Sequence, residues 1–372
     1  MLEDLEAALA EYLAATEAEP ESRAAPYNAG NMLRLLGRTR EAVAAYDEAL
    51  ARAPNFSAAR FNRAFSLLQL GEWTEGFREY EWRKATPTFN DPRYRLPNPW
   101  RGEELGGKTL FIYPELYQGD LIQFSRYAIL AEHLGAEVVL AAPTPMHALL
   151  RTLSPTIHLA EADATPSYDY QVALMSLPLL FGTTPDRVPA GVYLKPDPER
   201  VVAWRQRIGV EGLKIGLVWQ GSDRMPERFF PLSACVNALG SVPDVRLISL
   251  QKFAGLDQLD QCPNVETLSG FDTGSDAFLD TAAAMSCCDV FVTADTSTAH
   301  LAGAIGAETW LAVPQPPDWR WLEHRNDTPW YPSVRLFRQR QRGNWESVFS
   351  DMAQEVRLRV ARGLMVPKST PA

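Results

Sequence analysis

Apolar and polar positions change rhythm twice along this chain. Over the first 85 residues the pattern returns every 34 positions: Asn28 recurs as Asn62, Leu33 as Leu67, Leu36-Gly37 as Leu70-Gly71, and Tyr46 as Tyr80. Ala42 is answered by another small residue, Gly76, and one period back Ala8 pairs with Ala42, Tyr12 with Tyr46 and Pro20 with Pro54. A fixed period of this size means stacked supersecondary units. Each unit predicts two helices, with small residues where they cross, a glycine closing the first and a proline ending the second. On this register residues 1–20 supply only the second helix of their unit. Residues 86–107, rich in Pro, Arg and Gly, then read as a linker. Beyond them short β-rich runs at 109–113, 137–141 and 171–175 alternate with helical segments such as 121–134. That is the rhythm of a parallel sheet with crossover helices. After a proline-dense stretch at 185–198 it restarts, with strands at 214–219, 245–250, 289–294 and 309–313. Residues 344–362 read as a final amphipathic helix.

The resulting division is residues 1–85 as helical repeats, 86–107 as linker, 108–198 and 199–345 as two α/β domains, and 346–372 as a C-terminal helix and tail. The helix pairs resemble tetratricopeptide repeats, about two and a half of them. So few repeats bury little apolar surface among themselves. They are expected to dock on the next domain through Tyr80-Glu81-Trp82-Arg83. Two open α/β domains joined by a linker form a cleft at the carboxyl ends of their strands, where such sheets bind ligands.

Composition narrows the partners. At 372 residues and 46% hydrophobic, the chain can bury several cores. Its 46 acidic and 36 basic side chains give a net charge of -10, which argues against nucleic acid. The four cysteines, Cys235, Cys262, Cys287 and Cys288, have neither zinc-site nor C-x-x-C spacing and read as buried, reduced thiols. The N-terminus is acidic where a signal peptide would be basic, and no apolar run is long enough to span a bilayer. The expectation is a protein of the cytoplasm, or one peripheral to the inner face of a membrane.

Candidate chemistry gathers after the strands. Val292-Thr293-Ala294 leads into Asp295-Thr296-Ser297-Thr298-Ala299-His300 and a helix of small residues. Hydroxyls beside the free N–H groups of a first helical turn favour an anion, a diphosphate in particular. A simple helix cap, with His300 as a core residue, is the competing reading. The first α/β domain has its own loop, Gly119-Asp120, between a strand and a helix. The second opens with Ile215-Gly216-Leu217-Val218-Trp219-Gln220-Gly221-Ser222, followed by Arg224 and by Arg228 ahead of Pro231-Leu232. Gln251 and Lys252 end a further strand at the same rim.

Asp295-Thr296-x-x-x-His300 resembles the Asp-Thr/Ser-x-x-x-His signature of glycosyltransferase family nine, the heptosyltransferases. The resemblance covers about residues 108–345 and implies an α/β GT-B fold, two Rossmann-like domains facing a cleft, here preceded by an all-α repeat module. The repeats-plus-GT-B layout is also similar to O-GlcNAc transferase. The resemblance implies that Asp295, Thr296, Ser297 and His300 bind the nucleotide-diphosphate part of a sugar donor, with Gly221, Ser222, Arg224 and Arg228 beside it. It also makes Asp120 the general base. Arg228 would neutralise the leaving diphosphate, and Gln251 and Lys252 would contact the nucleotide. The sequence has no Asp-x-Asp motif, so no metal site is expected, and the resemblance implies a reaction that inverts the sugar without a cofactor. The acceptor is expected to be a protein or glycan brought by the repeats. Relatives read Gly-Leu-Gly-Asp where this chain has Tyr117-Gln118-Gly119-Asp120. That departure supports the alternative, a scaffold that keeps the fold without turnover.

Overall fold

The computed structural model describes residues 2–115, 117–222 and 225–363. It divides into two compact units. One holds residues 1–102 together with 176–188 and 316–325. Its helices are α1 (Leu2–Ala18), α2 (Ala24–Leu35), α3 (Thr39–Arg52), α4 (Ser57–Gln69) and α5 (Trp73–Tyr80), each packed on the next. The 34-residue period is visible as geometry. Gly37 and Gly71 both take positive φ, and Arg38 N–H donates to Leu33 O as Glu72 N–H does to Leu67 O, each at 2.9 Å. These are two copies of one helix C-terminus closed by a left-handed glycine. Close approach explains the small residues: a Cβ on Gly30 would lie 2.6 Å from the Tyr46 ring.

Contacts to the later parts of this unit differ from the sequence expectation. Tyr80 packs inside the helical array, against Phe61 and Phe65, and Trp82 lies under the Arg60 guanidinium. Of the expected stretch, Arg83 is the residue that reaches the later chain: it is fully buried, and its Nη2 donates to Ser176 Oγ at 2.8 Å. Phe77 meets Trp319 edge-on, while the Glu323 carboxylate accepts from Thr39 Oγ1 and Gln69 Nε2. The helices thus hold two short excursions of the distant chain.

The second unit carries two parallel sheets. Its first part runs β1 (Thr109–Tyr113), α6 (Gln118–Phe124), α7 (Arg126–His133), β2 (Glu137–Ala142), α8 (His147–Leu150), β3 (His158–Glu161) and β4 (Tyr170–Ala173), in the order β3-β2-β1-β4. After α9 (Leu177–Leu180), which belongs to the first unit, come α10 (Pro198–Ile208), β5 (Leu213–Val218), α11 (Leu232–Leu239), β6 (Val245–Ser249), β7 (Val265–Thr267) and α12 (Leu279–Met285). The chain continues through β8 (Val290–Thr293), α13 (Ser297–Ile305), β9 (Thr309–Val313), β10 (Val334–Arg338) and α14 (Trp345–Ala361). This sheet is ordered β10-β9-β8-β5-β6-β7, the doubly wound arrangement with its switch point between β5 and β8. β5, β8 and β9 are buried at every position, as strands covered on both faces must be. Three strands lacked a sequence signal. β3 is polar at both ends and half-exposed, β7 has three residues, and β10 interleaves arginines. The helix expected at 121–134 is divided at Ser125, whose hydroxyl bonds back to Ile122 O. Among the described residues no helix is long and apolar enough to cross a membrane.

Arg126, at the start of α7, ties the two sheet layers together. It is 2% exposed. Its guanidinium donates to Gln123 O, to Pro189 O in the connecting segment, to Trp330 O at 2.9 Å and to Tyr193 Oη at 3.0 Å. The rings of Tyr193 and Tyr331 flank it at 4.5 and 4.6 Å. Burial opposes the charge, but the tyrosines around it outweigh that and hold the guanidinium above its ordinary pKa. Arg126→Met should lower unfolding stability by about 3 kcal/mol in urea titration, since it strands several buried acceptors. Arg126→Lys should not restore it, because an ammonium lacks the planar fork. Wild-type stability in either variant would contradict this role.

Candidate functional site

The loops after β5 and β8 meet at the switch point. A Cβ on Gly221 would lie 3.1 Å from Thr296 Cγ2, so the first loop lies directly on the second. Arg228 reaches Asp295 across this contact, Nη1 to Oδ2 at 3.1 Å, with the carboxylate side chain 2% exposed and the guanidinium 24%. Ser222, next to Gly221, is exposed. Arg224 lies outside the described residues.

Thr296 occupies the N-cap of α13 with extended backbone, yet its side chain makes no cap hydrogen bond. Thr293 Oγ1 donates to Ala294 O, so it must accept from Thr298 Oγ1 at 3.1 Å, and Thr298 in turn accepts from Thr296 at 2.8 Å. The threonine protons therefore run inward. The first-turn N–H groups at Ser297 and Thr298 have no carbonyl further back in the helix to bond. The cap reading of Thr296 does not describe this geometry.

The first α/β layer closes over the same helix. Gly119 packs so near α13 that a Cβ there would sit 3.2 Å from His300 Cδ2 and 3.5 Å from Ser297 Cα. His300 is 5% exposed, and its Nδ1 is 3.1 Å from Tyr331 Oη. Tyr331 in turn lies over Gly303, where any Cβ would meet its ring at 2.3 Å. Asp120, the third residue of α6, is buried and accepts from the Tyr117 N–H at 3.4 Å. It belongs to a capping box rather than standing at the N-cap itself. Tyr117 has φ of -112° and a 56% exposed side chain. Its backbone is extended, so a tyrosine stands there without the strain a glycine would relieve.

Asp120, Gly221, Arg228, Asp295, Thr296, Ser297 and His300 thus belong to one set of abutting loops. Gln251 and Lys252 are engaged elsewhere. The Gln251 amide accepts from the N–H groups of Trp219 and Gln220 and donates to Gln220 O and Ala254 O. It shapes the loop after β5 from beneath, and a direct ligand contact would sacrifice those bonds. Lys252 Nζ bonds Asp272, at both its backbone oxygen and its carboxylate. Asp280, in the first turn of α12, accepts from Arg200 and Trp204. Burial works against its charge, but those donors hold its carboxyl below the usual range. Trp319, Trp321, Trp330 and Tyr331 are core residues. The role of Arg126 was missed, because its partner Trp330 lies 204 positions away.

No protein-family profile matches the chain. Protein FlbA of Caulobacter vibrioides is 27% identical over 414 aligned positions, covering 92% of this chain and 68% of that protein. Among solved structures, the ADP-heptose lipopolysaccharide heptosyltransferase II of E. coli is 14% identical, with a TM-score of 0.45, over 69% of this chain and 100% of that one. A family-nine glycosyltransferase from Veillonella parvula is 13% identical, with a TM-score of 0.49, over 71% and 99%. A mutant O-GlcNAc transferase from Thermobaculum terrenum is 13% identical, with a TM-score of 0.35, over 97% and 90%.

The Arg228–Asp295 pair makes a prediction independent of any ligand. A double-mutant cycle with Arg228→Met and Asp295→Asn should give a coupling of about 1–2 kcal/mol in unfolding free energy. Additive single effects would mean that the pair does not hold the two loops together.

Proposed function

We propose that the chain is a GT-B glycosyltransferase that moves a sugar from a nucleotide-diphosphate donor to an acceptor hydroxyl. The observation that carries this reading is the convergence at one point of Arg228 with the buried Asp295 carboxylate, the N–H groups starting α13 and Gly119-Asp120 at the start of α6. A diphosphate suits the first two. Helix N–H groups and a fixed guanidinium offer positive potential and donors without rearrangement.

In this reading Asp120 takes the proton of the acceptor hydroxyl as its oxygen attacks the anomeric carbon. The bond from that carbon to the diphosphate oxygen breaks, and the electron pair leaves with the nucleotide. Arg228 and the start of α13 meet the charge that develops there, the role a metal ion has in other transferases. Attack opposite the leaving group inverts the sugar. His300, bonded to Tyr331, keeps the helix in place under Gly119. Ser222 and Arg224 would contact the donor from the β5 loop, while Gln251 and Lys252 act through the loops they tie. Residues 1–85 form tetratricopeptide repeats that recruit the acceptor, a protein or a glycan. A nucleotide-sugar donor fits a cytoplasmic setting.

Calorimetry with ADP and UDP tests the donor side. Arg228→Ala should weaken whichever nucleotide binds by about 2 kcal/mol, roughly thirtyfold. Unchanged affinity would remove Arg228 from the site. Asp120→Asn should bind nucleotide normally yet lower transfer or donor hydrolysis at least about a hundredfold; a wild-type rate would place the base elsewhere. Turnover should survive saturating EDTA, and its loss with restoration by a divalent ion would overturn the metal-free step. Nucleotide binding with no turnover on any donor would leave a nucleotide-binding scaffold.

A further inference from the structure

The loop after β6 carries one aromatic ring that the folded chain leaves mostly uncovered. Phe253 is 80% exposed, the most exposed of the large apolar side chains described, and its backbone sits at φ of 68°. A bulky L-residue in that region is strained, and the strain persists because its neighbours are fixed. Gln251 is bonded into the Trp219-Gln220 backbone and Lys252 is tied to Asp272. Ala254 O accepts from Gln251 Nε2 at 2.9 Å, and Gly255 O accepts from Trp219 Nε1 at 3.0 Å. The residues on either side are anchored, and the phenyl ring projects. Lys252 Nζ lies 4.9 Å from that ring's centroid, fixing a cation by the ring and leaving most of its surface to solvent. Strain that exposes an apolar ring, and buries nothing in return, points to a ligand.

Position identifies which part of a ligand. β6 lies two strands from β8 in the order β8-β5-β6, and all these strands are parallel, so their carboxyl ends share one edge of the sheet. At the usual interstrand spacing the two loops are about 10 Å apart, a gap that a ribose and a phosphate bridge. With the diphosphate at the start of α13, the base reaches the β6 loop. We infer that Phe253 is the stacking platform for the base of the nucleotide donor, an inference that rests on the diphosphate reading above. A ring face accepts any base, so Phe253 contributes affinity for nucleosides while leaving discrimination among bases to other contacts.

The test compares ADP, UDP and inorganic pyrophosphate by calorimetry on the full chain. Phe253→Ala should weaken the nucleotides about tenfold and leave pyrophosphate unchanged, and Phe253→Trp should restore them. Phe253→Gly should show the same nucleotide loss with a melting temperature equal to or above wild type, since glycine relieves the positive φ. Nucleotide affinities unchanged in Phe253→Ala would overturn the platform. So would a wild type that binds pyrophosphate as tightly as ADP and UDP, although the diphosphate site would stand. A wild type that binds none of the three would refute both readings together.

Discussion

A buried guanidinium holds the two sheet layers in register. Arg126 has carbonyl and hydroxyl acceptors from its own helix, from the connecting segment and from the Trp330-Tyr331 turn, and aromatic rings flank it. An arginine kept from water must have its donors satisfied and its charge offset. These particular acceptors come together only when the layers take one arrangement. The consequence at the site is direct. Tyr331, beside Arg126, also bonds His300 and covers Gly303, so the clamp and α13 share a residue. Through α6 and α13 the same arrangement brings Gly119-Asp120 against the start of α13.

The site itself rests on economy of donors. The threonine hydroxyls around residue 296 hydrogen-bond inward as a chain, and Asp295 holds Arg228. Beside that chain stand the start of α13, an arginine held by Asp295, and Gly119 packed close against the helix. In the proposed reading such a site is organised before a ligand arrives, which is how fixed dipoles stabilise developing charge most effectively.

Much of this was legible along the chain because it is local. The 34-residue period, the strand–helix alternation and the Asp295–His300 spacing are each properties of neighbouring residues, and each reappears in the helices, the β5–β8 switch point and the α13 turn. What the sequence concealed depends on distant partners. Nothing near Arg126 announces Tyr193 or Trp330. Of the stretch expected to dock, Arg83 does so, and Phe77, Thr39 and Gln69 join it unannounced, because their partners, Trp319 and Glu323, lie far along the chain. Gln251 looked like a rim residue in sequence, yet its amide is spent on two backbone segments. Short or polar strands such as β3 and β7 carry too few apolar positions to set a period.

In the proposed reading the start of α13 and Arg228 hold a nucleoside diphosphate. A crystal structure of the chain with ADP or UDP addresses it most directly. The account predicts the terminal phosphate within hydrogen-bonding distance of the Ser297 or Thr298 N–H and of the Arg228 guanidinium, with the sheet layers still joined through Arg126. A nucleotide bound elsewhere, with this helix start left to solvent, would contradict it.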